Sequence, residues 1–410
     1  MPSVSYYYGD IGGDPFPFIP FIYNRKPKVA CINIHKTGVI GLIDLVDKTF
    51  VGIDGAKEDS PIYYKQLIDF NLSGSKLKTR IFYGHNNNNS WRLADIEIDL
   101  SALTASRTLI AEKTSSDDAD ITYKIKKGKP LSQRTILVAE SDKPYIWYVD
   151  AKDLTIVNKW DTGFSTYNPR LSNQIVVKPD DIYMLVGRHL DSANFYKFAV
   201  YGKTLTEISN SNPNTSPNPM ILNMWVTHKE RILTGSGNTV VTRNNLICWF
   251  DDDFNLLGKT NLSGIYSYPF FYGAAVIGKT STGNLVIVGL LYNEYMSNAT
   301  ENTLIYIEID PSDYSLANYQ KLKTFTDLNN APERLAVGLG TDTDRLALPI
   351  IDIRTKKVYI PARIKSAGTN YLGLVVFDLS DVDIVEWNQH AWYLNQTTIP
   401  TFLDLNIVPQ

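Results

Sequence analysis

Apolar positions along the chain come in short runs. Examples are Ile136-Leu137-Val138-Ala139, Tyr183-Met184-Leu185-Val186 and Leu285-Val286-Ile287-Val288. These runs are rich in branched and aromatic side chains, which suit a pleated, half-buried surface. Clusters of Asn, Asp, Gly, Ser and Pro bound them, as strands joined by tight turns require. The pattern therefore predicts β-structure almost throughout. No amphipathic helix of three turns stands out, and the best helical candidate is residues 62–70.

A strand ending in Asp, a short turn and a second apolar strand recur along the chain. The marker positions are Asp44, Asp99, Asp150, Tyr201, Asp251, Asp310 and Asp378, at intervals of 55, 51, 51, 50, 59 and 68 residues. A carboxylate at a strand's end can accept backbone N–H groups in an Asx turn, so the markers read as turn-making residues. Tyr201 departs from the rule, with Gly202 beside it to supply the turn. Repeats of this length identify stacked architectures, since one small sheet cannot bury both of its faces.

Seven such units resemble the blades of a seven-bladed β-propeller, an all-β fold. Six or eight blades stay open, because the intervals are unequal and the longest could hide an insertion. The resemblance is one of fold. Trp160-Asp161 is the single Trp-Asp pair, Gly12-Gly13 the single Gly-Gly pair, and no sialidase-type box is present.

The two ends differ from the repeats. Residues 1–27 read as an extended arm, 28–396 as the propeller and 397–410 as a closing strand that joins a sheet begun near the N-terminus. In the arm, Pro15, Pro17 and Pro20 alternate with Phe16, Phe18, Phe21 and Tyr23. Proline removes ladder donors, and that much aromatic surface does not stay in water. The arm must pack on its own propeller or dock on another subunit through Phe16, Phe18, Phe21 and Tyr23.

Composition narrows the function classes. Forty basic and forty-three acidic residues leave a net charge of −3, against any strong global attraction to nucleic acid. No apolar run approaches a membrane span, and the first residues carry no secretory pattern, so a virion or cytoplasmic location is expected. Cys31 and Cys248 each lie within an apolar run and read as small buried hydrophobes rather than a disulfide.

Candidate chemistry is sparse. The five histidines (35, 85, 189, 228 and 390) form no metal-binding pair, because Cys31 and His35 lie on one strand, too far apart to share an ion. A metal built from several blades stays open. The acidic runs 115–120, 251–253 and 378–383 lack calcium-loop spacing. Gly273 to Thr280 matches a phosphate loop in letters, but a strand rather than a helix follows, so it reads as a hairpin. Neither catalytic residues nor cofactors are assigned.

Two function classes follow. The first is a non-enzymatic structural or interaction protein, with other protein subunits, copies of itself or a virion assembly as partners. Its Tyr- and Asn-rich, Cys-poor composition is similar to that of virion and phage-tail proteins. The second is a carbohydrate-active or carbohydrate-binding propeller with glycan at the funnel mouth. Tyr6 to Tyr8 and the cluster Tyr266, Tyr268, Phe270, Phe271 and Tyr272 are its candidate stacking surfaces.

Overall fold

The computed structural model describes residues 3–9, 18–35, 39–59, 62–85, 90–114, 125–132, 135–140, 145–161, 170–177, 181–187, 193–199, 204–209, 221–227, 231–236, 246–250, 256–267, 269–295, 298–333, 350–387 and 392–393. These residues are nearly all strand, with one 3-10 turn at Leu328–Asn330. No helix among them is long and apolar enough to cross a membrane.

The strands fall into seven antiparallel-based sheets in chain order. The N-terminal strand β1 (Ser3–Gly9) stands apart from this order. The first sheet holds β2 (Phe18–Tyr23), β3 (Lys26–Cys31), β4 (Ile40–Asp44) and β5 (Phe50–Ile53). The second holds β6 (Ile62–Ser73), β7 (Lys76–His85), β8 (Ser90–Asp99) and β9 (Thr104–Thr114), and the third β10 (Ile125–Ser132), β11 (Thr135–Glu140), β12 (Tyr145–Asp150) and β13 (Ile156–Asp161). The fourth comprises β14 (Arg170–Val177), β15 (Asp181–Gly187), β16 (Ala193–Ala199) and β17 (Thr204–Ser209). The fifth comprises β18 (Ile221–Thr227), β19 (Arg231–Ser236), β20 (Leu246–Phe250) and β21 (Leu256–Asn261).

The sixth sheet contains β22 (Pro269–Thr280), β23 (Leu285–Tyr295), β24 (Asn298–Ile309) and β25 (Leu316–Phe325). The short strands β26 (Pro332–Glu333) and β27 (Ile350–Asp352) join β28 (Lys357–Ser366) and β29 (Thr369–Asp378) in the seventh. A later strand, β30 (Ile384–Trp387), returns to pair with β22, and β31 (Trp392–Tyr393) pairs in parallel with β27.

Each described interface is a layer of apolar side chains between consecutive sheets. Ile32, Ile34 and Ile53 of the first sheet and its flanks meet Ile81, Ala94 and Ile96 of the second. Phe82, Trp91 and Leu93 on the opposite face of the second sheet meet Val138, Trp147 and Val149 of the third. Val288 and Leu304 of the sixth meet Ile360 and Val375 of the seventh. The seventh then packs on the first, where Tyr359, Leu374 and Val376 meet Phe18, Val29 and Ile43. Face-to-face stacking of small meanders is how a β-propeller buries both faces of every sheet.

The turn chemistry is local. Asp44 Oδ1 accepts the N–H groups of Val46 and Asp47 at 2.9 and 3.0 Å. Asp99 does the same for Ser101 and Ala102, Asp150 for Lys152, Asp310 for Ser312 and Asp378 for Ser380. Four residues beyond the marker, Lys48, Leu103, Leu154 and Tyr314 all adopt left-handed backbone, with φ of 57, 55, 61 and 61°. Tyr201 and Asp251 lie outside the described residues.

Two expectations change here. Residues 62–70 are not helical but belong to the twelve-residue strand β6, paired with β7 through the turn at Gly74, whose φ is 59°. A short apolar run does not itself separate the two states, and partner strands decided this one. The described parts of the expected arm over 1–27, residues 3–9 and 18–27, lie in sheets. β1 pairs along its length with β29, and β2 pairs with β3, Pro20 opposite Val29. β2 is an edge strand, where a missing N–H can face away from the ladder. N-terminal β1 joins the seventh sheet through β29; the closing strand expected over 397–410 lies outside the described residues.

Candidate functional site

The connector from β5 to β6 crosses the face of the second sheet that looks toward the first. Gly55, at φ 119°, lies so close to β9 that an added Cβ would sit 2.2 Å from the Ala105 carbonyl oxygen. Next, the Lys57 carbonyl accepts Arg107 Nε at 3.4 Å, and the Glu58 N–H donates to the Ile34 carbonyl at 2.8 Å. These contacts drive Glu58 into the sheet interface, where its carboxylate is fully buried.

A buried carboxylate is costly unless paired and hydrogen-bonded. Glu58 has both. Oε1 accepts the Tyr83 hydroxyl and pairs with Arg107 Nη1 at 2.9 Å. Oε2 pairs with Arg92 Nη1 at 3.1 Å and lies 3.7 Å from His85 Nε2. Tyr83 and Arg92 are cross-strand partners, and Arg92 is in turn opposite Glu112, so one row of three strands supplies most of the nest. Arg92 Nε reaches Glu112 Oε1 at 3.0 Å, and Ser90 Oγ donates to the same oxygen at 2.6 Å.

Protonation follows the geometry. Burial, then the hydrogen bond and charge of Glu58, push the Tyr83 phenol far above its ordinary range. Burial opposes charge on Arg92, but the hydrogen bond to Glu112 and the charges of Glu58 and Glu112 outweigh it and raise its pKa. The exposed Asp59 carboxyl is lowered, chiefly by its hydrogen bond with His85, whose Nε2 is 3.3 Å away. His85 is itself buried, and its Nδ1 lacks a hydrogen-bond partner.

Glu58, Asp59 and His85 bring one ligand atom each within 4.8 Å of one another, the single such group among the described residues. The donor set does not suit a cation. Both Glu58 oxygens are committed to guanidinium or phenol donors, and an ion between them would face two fixed positive charges. Tyr83, held as a phenol and buried, is no base. The arrangement is an ionic clamp that ties the connector to the second sheet.

The residues picked out from sequence lie elsewhere. Phe18 and Phe21 are buried at 5% and 0% exposure within this chain's own core, which rules them out as a free docking surface. Tyr23 is partly buried against the same core, and Phe16 lies outside the described residues. Tyr266 is buried, with Lys321 3.7 Å above its ring and its hydroxyl against Thr303, so it offers no open stacking platform. Gly273 to Thr280 runs within strand β22 and turns into β23, with Lys279 near Glu386 at 4.0 Å. Sequence spacing does not display the Glu58 nest, because its members are scattered from 58 to 112. Arg92, a charge inside the apolar run Trp91-Arg92-Leu93-Ala94, was the available signal.

No family model matches the chain, and no curated protein matches it in sequence. Solved structures do resemble it. The Swd1 β-propeller domain of Myceliophteria thermophila is 11% identical, covers 91% of this chain and 99% of its own, and gives a TM-score of 0.45. A putative 6-phosphogluconolactonase from Bacteroides uniformis is also 11% identical, covering 86% and 94%, at a TM-score of 0.45. A luciferin-regenerating enzyme is 9% identical over 81% and 96%, at 0.37. Such likeness concerns the fold alone.

Proposed function

We propose that this chain is a non-catalytic interaction platform, a seven-bladed propeller with one blade per sheet, closed by β1. One observation carries the reading: among the described residues, the one group of His, Glu and Asp whose ligand atoms converge is spent on holding the fold together. Glu58 has no free oxygen, Tyr83 is a buried phenol, and Arg92 is divided between Glu58 and Glu112. The packing of the seventh sheet on the first supports a closed ring, which makes a rigid body with loops on two faces. Its partners are then other protein subunits, and a virion or similar assembly is the setting that the Tyr- and Asn-rich composition fits.

The test is turnover by the full chain on panels of glycosides and lactones, beside His85→Ala and Glu58→Gln. The platform reading expects no turnover. Hydrolysis that disappears in His85→Ala while the protein stays folded would overturn it.

A further inference from the structure

The face of the second sheet that looks toward the third changes character along its length. Phe82, Trp91 and Leu93 are covered by Val138, Trp147 and Val149. Beyond them the face is lined by charged and polar side chains, and the described strands of the third sheet are shorter. β7 and β8 run ten residues each, whereas β11 and β12 run six.

This part of the face is polar across all four strands. One row reads Asp69, Arg80, Asp95 and Thr108 in register from β6 to β9. The next same-face row reads Asn71, Lys78, Glu97 and Ser106. Both rows line a single open groove of about 460 Å³, within the size range of small-ligand sites. Strand β10 runs beside β6 and β7.

Charge in the groove is internally balanced. Arg80 makes a two-pronged pair with Asp95, Nε–Oδ1 2.7 Å and Nη2–Oδ2 2.9 Å, and Asp69 adds its charge from the other side. Lys78 reaches Glu97 at 3.1 Å, and Lys76 reaches the same carboxylate at 2.5 Å. A free anion would meet three carboxylates, and a cation would meet three paired bases. A neutral ligand dense in hydroxyl groups meets neither penalty. Its hydroxyls can donate to the remaining carboxylate lone pairs and accept from Lys78, Asn71, Ser106 and Thr108. The pairs hold these groups in fixed rows, at the strand spacing of about 4.8 Å, comparable to the rise of one sugar unit along an extended chain.

We infer that this groove on the second sheet is a binding site for a neutral oligosaccharide, held by the rows of Arg80 and Lys78. The site is on the flank of one sheet and performs no chemistry, so it stands whether or not the platform reading holds.

The experiment is calorimetric titration of the full chain with cellotetraose, maltotetraose, mannotetraose and chitotetraose, with inorganic phosphate as the anionic probe. At least one sugar is expected to bind with a dissociation constant of about 1 mM. The more exposed Lys78→Ala is expected to weaken it roughly tenfold, the loss of one charge-assisted hydrogen bond, and Arg80→Ala to weaken it comparably by releasing the Asp95 carboxylate from its fixed place. Thermal melts of both variants confirm that they are folded. No binding by any of the four sugars would overturn the inference. So would sugar binding unchanged in both variants, or phosphate binding in place of the sugars.

Discussion

Trp91 meets Trp147 edge-on across the boundary between the second and third sheets, ring centroids 5.6 Å apart at 81°. Both rings are fully buried, and Phe82 packs edge-on against Trp91 at 6.2 Å from within the second sheet. This is the favoured geometry for aromatic quadrupoles. It makes the pair the center of one inter-sheet contact.

Trp91→Ala should therefore cost about 3–5 kcal/mol, the range for emptying a buried aromatic site. Chemical denaturation would read it. A loss under about 1 kcal/mol would mean the two sheets do not depend on this contact.

Glu58→Gln tests the clamp. It keeps the shape but leaves Arg92 and Arg107 sharing a partner without charge. Breaking a buried ion pair from one side costs about 3–5 kcal/mol. The same substitution should speed proteolysis in the connector, residues 54–61, before it affects the sixth sheet. Equal loss of protection in both regions would show that the clamp is not local.

Much of this fold could be read in the sequence, because turn chemistry is local. The marker aspartates act on N–H groups two and three residues away, so a single chain carries the signal. Long-range choices were less legible. In the proline-rich aromatic segment before residue 24, the missing N–H groups argue against pairing. Yet Pro20 sits on an edge strand, and Phe21 finds a core that sequence spacing does not display. The clamp was illegible for the same reason: Glu58, Tyr83, Arg92 and Arg107 meet only after three strands have aligned. The groove is no more legible, because its two rows come from four strands, residues 69 to 108, that must first come into register.

Leu103 occupies the left-handed position of its turn at φ 55° and is 44% exposed. A side chain there costs roughly 1–2 kcal/mol relative to its preferred backbone, and glycine avoids that cost. Leu103→Gly is expected to raise stability by about 0.5–1 kcal/mol after the extra chain entropy of glycine. A lower melting temperature would contradict the turn geometry.

The Asp99 carboxyl is held at about 2 by the Ser101 hydroxyl and the Ala102 and Ser101 N–H groups. Its folded value lies below the unfolded one, so its contribution to stability is complete above pH ~4. That contribution fades as pH falls toward and through about 2. Carbon-detected titration of Asp99 should show its inflection near 2, and an inflection near the ordinary 3.8 would remove the Asx turn from the account.

Ring closure is the central claim, and a cross-link tests it most directly. Ser5 of β1 faces Val376 of β29 in the antiparallel ladder. Opposed Cα atoms in such a pair lie about 4.5–5.5 Å apart, within disulfide range. The double variant Ser5→Cys, Val376→Cys should form an intramolecular disulfide on mild oxidation, found by peptide mapping, and should melt at a higher temperature than its reduced form. Failure of the two cysteines to link in the folded monomer, or linkage only between molecules, would contradict closure of the chain by its own first strand.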